Sequence, residues 1–195
     1  MSSYFDIAVI PARGGSTRIP RKNVREFRGH PIILYSIMLA KAAKFGRIVV
    51  STDDDEIAKV SADAGAEIHW RSPELCENDI GTQEVVKHVL LDLNVSSTDM
   101  VCCIYPCVPL LDACDLEAAV ILSDDNWYVW SGIAVGSAIH DAGQFYYGMA
   151  ENWLNDVPLT CHGSAVMILD GVVDINTMDD WERAEKIYEA KYEYC

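Results

Sequence analysis

The chain has 195 residues, enough for one domain with a sizeable core, and its 50% hydrophobic and 23% charged content is that of an ordinary globular protein. A net charge of −15 argues against nucleic acid or an anionic membrane as partner. The charge is unevenly placed: residues 1–30 carry +4, which leaves −19 on the remainder. The seven cysteines are odd in number and include no Cys-x-x-Cys pair, which fits a reduced, cytoplasmic chain rather than a disulfide scaffold or a zinc site. No apolar run reaches membrane length, and the N-terminus lacks the pattern of a secretory leader.

Apolar runs rich in β-formers alternate with stretches of helical period. Phe5–Ile10 reads as a first strand, feeding a loop with two glycines, a serine and four cations, Arg13, Arg18, Arg21 and Lys22. Such a loop lets backbone N–H groups approach phosphate oxygens while the cations neutralise them. A helix from Pro31 to about Lys44 follows, then a strand over Arg47–Thr52. Asp53-Asp54-Asp55-Glu56 opens the next helix, where acids favour the positive end of the dipole, and Gly65 closes it. Further strands are expected at Ala66–Trp70, Met100–Tyr105 and Trp127–Val135, with helices at Gly81–Leu93 and from Asp112 or Asp115 to Leu122. Gln144–Gly148 and Ala165–Leu169 read as short strands at a sheet edge. Thr177, with Asp180 three residues on, caps a last helix whose stripe is Trp181, Ala184, Tyr188 and Tyr192. This order implies an α/β fold: a mostly parallel sheet flanked by helices, with ligands beyond the carboxyl ends of its strands.

The stretch Ile-Pro-Ala-Arg-Gly-Gly-Ser-Thr-Arg-Ile-Pro-Arg-Lys-Asn, residues 10–23, resembles the signature of the sugar-acid cytidylyltransferases. Val49–Asp54, Arg71–Leu75 and Tyr105–Pro109 fall in that family's order and spacing. His140–Gly148, and Asp174–Thr177 followed by Asp180–Glu185, are similar to its pseudaminic acid branch. The resemblance implies a single-domain nucleotidyltransferase of the GT-A, Rossmann-like kind. It also implies transfer of CMP from CTP to the anomeric hydroxyl of a nine-carbon keto-sugar acid, with Mg²⁺ and release of pyrophosphate. On that reading Arg13, Arg18 and Lys22 are catalytic. Ala12, Gly14, Gly15, Ser16, Asn23, Asp53, Arg71, Tyr105 and Gln144 bind substrate, and Asp174 and Asn176 bind the metal. Phosphoryl-type transfer depends on positioning and charge neutralisation, which fits this set.

The chain departs from the family pattern at four places. Thr17 stands where the sialic acid branch usually has Lys, Asn176 where a second Asp is usual, and Tyr105 where a polar residue often precedes the Pro-x-x-Pro turn. Only Gly136-Ser137-Ala138-Ile139 joins Val135 to His140, where the family usually inserts a few tens of residues that build a dimer interface and part of the sugar site. A monomer or an altered homodimer is therefore expected, and the alternative function is a nucleotide-binding module without full turnover. Simpler readings stand beside these: Arg71 as a surface cation, Asn176 and Thr177 as helix caps, and the cysteines as small buried apolar groups. His140 and Asp141, adjacent on a strand, point to opposite faces and do not form a dyad.

Overall fold

The computed structural model describes residues 7–77 and 79–192. Its frame is a seven-stranded sheet in the order β5-β4-β1-β6-β8-β7-β9. Its strands are β1 (Ile7–Pro11), β4 (Arg47–Thr52), β5 (Glu67–Trp70), β6 (Met100–Ile104), β7 (Tyr128–Val135), β8 (Ala138–Met149) and β9 (Ser164–Ile168). A small hairpin, β2 (Glu26–Phe27) with β3 (His30–Pro31), stands apart. Pairing is parallel from β5 through β4 and β1 to β6 and again between β7 and β9, while β8 runs antiparallel to both neighbours. The expected strand at Gln144–Gly148 is therefore the C-terminal part of a longer strand inside the sheet, and of the two expected edge strands β9 alone lies at an edge. Phe5 and Asp6, the start of the expected first strand, lie outside the described residues.

Strands covered on both faces read as continuous apolar runs, and alternate side chains of β1, β4 and β6 feed two cores. Ala8, Ile10, Ile48, Val50, Cys102 and Ile104 face helices α1 (Ile33–Ala42), α2 (Asp55–Asp63) and α4 (Ala113–Ser123). Ile7, Val9, Val49, Val101 and Cys103 face α3 (Thr82–Asp92) and the short α5 (Ala150–Leu154). Asp54 caps α2, its Oδ1 accepting from the N–H groups of Glu56 and Ile57 at 3.0 Å each. Gly65 ends that helix at φ +80°, a conformation that favours glycine.

A third core lies under the Gly-rich loop. Ile19, Phe27, Cys107, Val173, Ile175 and Trp181 pack there, and the Phe27 ring makes edge contacts with Tyr35, Trp181 and Tyr188 at 5.5–5.6 Å. This cluster binds the β2–β3 hairpin to α6 (Met178–Tyr192), and so fixes the loop after β1 against the segment before α6. Chain order reverses between β1 and β6, since β4 and β5 extend to one side and β6 to the other. The loops leaving these two strands therefore open a crevice at the carboxyl end of the sheet. No helix among the described residues is long and apolar enough to cross a membrane.

Candidate active site

A cavity of about 210 Å³ occupies that crevice. Arg13, Ser16, Arg18 and Lys22 from the Gly-rich loop form one wall, Asp174, Asn176 and Gly143 another, and Tyr105, Pro106 and Cys107 the end of β6. It is smaller than the ~300–1,000 Å³ of pockets that enclose a drug-sized ligand. A larger apolar groove of about 630 Å³ lies between α1, α4 and α6, but it carries none of the loop's cations.

The loop is held from outside. Gly14 donates its N–H to Asp53 Oδ1 at 2.8 Å, and a Cβ on Gly14 would stand 2.8 Å from Asp54 Oδ2, so this approach requires glycine. Gly15 has open space around it. Ala12 is buried and extends the β1–β4 pairing by donating its N–H to Ser51 O at 2.8 Å. Buried Asn23 donates to Arg13 O at 2.8 Å and accepts from Cys107 Sγ at 3.4 Å. Burial pushes the Cys107 thiol up to about 12, so it serves as a protonated donor and not as a nucleophile.

The four cations separate. Arg21 leaves the cavity, pairing with Asp54 at 2.5 Å and with Glu56. Arg13 donates from Nη1 to the carbonyls of Cys76 and Glu77 at 3.2 and 3.4 Å. Arg18 and Lys22 cross the cavity, Arg18 Nη2 donating to Asn176 Oδ1 at 2.7 Å and Lys22 Nζ to Ile175 O at 2.9 Å. The Asn176 amide donates in turn to Asp174 Oδ2 at 2.5 Å. Burial pushes the Asp174 carboxyl above its usual range and the charge of Asp141 adds to this, while Asn176 and Lys22 oppose them.

Two predicted binding residues sit deeper than a surface role allows. Arg71 is buried at the end of β5 and outside the cavity lining, donating to Ser51 O at 3.0 Å and Ser51 Oγ at 3.4 Å. It is no surface cation, and burial lowers its pKa. Gln144, expected to contact the sugar, is 1% exposed and donates to Ala142 O and Val173 O. Its amide therefore ties β8 to the Asp174 segment from below. Tyr105 does line the cavity, half-buried, with its hydroxyl 2.9 Å from that of Thr82.

From the sequence, Asp141 is weighed only as half of a dyad with His140, and Gly143 is given no role. Asp141 accepts from the Gly143 N–H at 2.8 Å and from the Tyr146 hydroxyl. Gly143 has φ +59°, and a Cβ there would stand 2.8 Å from Asp174 Cγ. The Asp-Ala-Gly order, an Asp accepting from a backbone N–H two residues on, was the available signal.

The fold is an α/β sheet of the nucleotidyltransferase kind, with a cation-walled crevice at its switch point. Residues 7–135 match the cytidylyltransferase family. Pseudaminic acid cytidylyltransferase of Campylobacter jejuni subsp. jejuni serotype O:23/36 (strain 81-176) is 32% identical over 227 aligned positions, covering 96% of this chain and 98% of that protein. CMP-N,N'-diacetyllegionaminic acid synthase of Legionella pneumophila subsp. pneumophila is 42% identical over 88 positions, 45% of this chain and 37% of that protein. Among solved structures, CMP:2-keto-3-deoxy-manno-octonic acid synthetase complexed with CTP superposes with a TM-score of 0.77 at 14% identity, over 96% of this chain and 99% of that one. The chain belongs to the cytidylyltransferase family, and so to the nucleotidyltransferase enzymes. The Campylobacter alignment is 32 positions longer than the whole chain, so at least that many residues of the relative have no counterpart here.

Proposed function

We propose that this enzyme transfers CMP from CTP to the anomeric hydroxyl of a sialic-acid-like nonulosonic acid, with pseudaminic acid the acceptor favoured by the Campylobacter relative. The observation that carries the reading is the crevice itself, where Arg18 and Lys22 reach across to the Asp174–Asn176 segment and Arg13 and Ser16 line the same cavity. Cations opposite a carboxylate suit a triphosphate bound with a divalent cation. Arg13, Ser16 and the Gly14-Gly15 backbone would hold the triphosphate. Arg18 and Lys22 would neutralise the departing pyrophosphate as the sugar hydroxyl attacks the α-phosphorus and the bond to the β-phosphate breaks. Buried Arg71, beside Asp53 and outside the crevice, would present its guanidinium to the cytosine.

The residues at Asp174 fit Mg²⁺. All their donors are oxygens, and the missing Cβ of Gly143 leaves room at the carboxylate. Asp174 and Asn176 would hold the ion, Asn176 through the amide oxygen that here accepts from Arg18. When bound, Mg²⁺ supplies positive charge to the phosphate oxygens.

A second reading, nucleotide binding without turnover, is favoured by the connection from β7 to β8. It is a two-residue turn, Gly136-Ser137, with Val135 paired to Ala138, and leaves no excursion to close over the sugar. Calorimetry with CTP, UTP and GTP, run beside pyrophosphate release with a panel of nonulosonic acids, separates the two. CTP-selective binding with pyrophosphate release supports the transferase. Binding without release from any sugar supports the second reading, and absence of CTP binding removes both.

A further inference from the structure

Outside the crevice, His69, His88 and Asp92 each offer one ligand atom within 4.8 Å of the others. His69 lies on β5, an edge strand bonded to the sheet only through β4. His88 and Asp92 are four residues apart on α3 and so share one helix face. Asp92 Oδ2 is 3.0 Å from His69 Nε2 and 3.4 Å from His88 Nδ1. Ligands at ~2.0–2.1 Å around a tetrahedral ion are separated by about 3.3 Å, so both spacings match such an ion. His88 Nδ1 is buried and makes no hydrogen bond within the protein. A buried nitrogen in that state is a group that a metal ion would satisfy. The other nitrogen of His69, Nδ1, lies 3.1 Å from Ser51 Oγ. Without metal, the 3.0 Å contact is an Nε2–H donated to the Asp92 carboxylate. A bound ion would take the place of that proton at Nε2, with Nδ1–H then donating to Ser51 Oγ, the outer support that metal-binding imidazoles usually have.

We propose that His69, His88 and Asp92 form a second metal site, distinct from the Asp174 crevice, that takes a zinc-like divalent ion and clamps β5 to α3. Two imidazoles and one carboxylate select Zn²⁺ or Co²⁺ over the hard, oxygen-seeking Mg²⁺. His88 and Asp92 side chains are 39% and 51% exposed, which leaves a fourth position open to water. The clamp bears on nucleotide binding through Ser51, whose hydroxyl touches both His69 and Arg71.

The test is a titration of the metal-free full chain with Co²⁺ in excess Mg²⁺, read by the visible absorption of four-coordinate Co²⁺. One equivalent should bind and be displaced by Zn²⁺. His88→Gln and Asp92→Asn, both on the exposed side of α3, should each weaken Co²⁺ binding beyond the ~10–100-fold that an outer hydrogen-bond partner contributes. Asp174→Asn should leave it unchanged, and far-ultraviolet circular dichroism would verify folding. No Co²⁺ binding, binding that survives both α3 variants, or intense near-ultraviolet thiolate absorption placing Co²⁺ on cysteine would each overturn the proposal.

Discussion

Asp174, proposed to hold the metal, and Asp54, which caps α2, respond to their surroundings with opposite signs. The Arg21 hydrogen bond holds the Asp54 carboxyl below its usual range, helped by the Ile57 and Glu56 N–H groups and opposed by partial burial. A depressed folded-state value gives stability that is complete above the unfolded value of about 3.9 and is lost as pH falls through the folded one. Asp54→Asn, which keeps a capping side chain, should cost up to about 1 kcal/mol at neutral pH, and the deficit should shrink as pH falls below the unfolded value of about 3.9. Asp174 is raised, by burial first and by Asp141 next. Its folded state holds a proton more tightly than the unfolded chain, so stability falls as pH rises through the interval above about 3.9. Asp174→Asn should therefore raise Tm at neutral pH by about 2 °C or less and abolish turnover. Thermal scans of the three proteins from neutral to acid pH check both signs.

Helix α6 and the segment before it form one mechanical unit. Thr177 Oγ1 accepts from the Asp180 N–H at 3.2 Å, and Asp180 Oδ2 accepts from the Thr177 and Asn176 N–H groups at 2.9 and 3.2 Å. This reciprocal cap sets the backbone that carries Asn176 and Ile175 to Arg18 and Lys22. Thr177→Ala should cost about 1 kcal/mol, lower Tm by ~2–4 °C in calorimetry, and raise the KM for nucleotide as the segment loosens. That cap was legible because its signal is local, as were Arg47–Thr52 and the acidic start of α2. The β2–β3 hairpin and α5 went unread: two-residue strands and a five-residue helix have too few residues for a period to show. The interior position of β8 depends on which strands it meets, and no local pattern encodes that. The same limit hid the burial of Arg71 and Gln144, and it kept His69 apart from the His88–Asp92 pair until β5 and α3 were placed together.

For the whole molecule, an acidic body surrounds a basic crevice, which favours a small polyanion at one place and disfavours polymeric ones elsewhere. A two-residue turn joins β7 to β8, where the family resemblance leads one to expect an excursion that builds a dimer interface. Light scattering should give a monomer near 21.7 kDa, or a dimer that leaves this hairpin free. Oxidative crosslinking of a Ser137→Cys variant into a hairpin-to-hairpin dimer would contradict that expectation. Cytidylyl transfer is proposed for the crevice between the Gly-rich loop and the Asp174–Asn176 segment. It is tested most directly by phosphorus NMR of the protein with CTP, Mg²⁺ and pseudaminic acid. A new phosphodiester resonance should grow in equal amount with pyrophosphate, and both should be absent with Asp174→Asn. Unchanged CTP resonances, or conversion of CTP to CDP and phosphate alone, would contradict it.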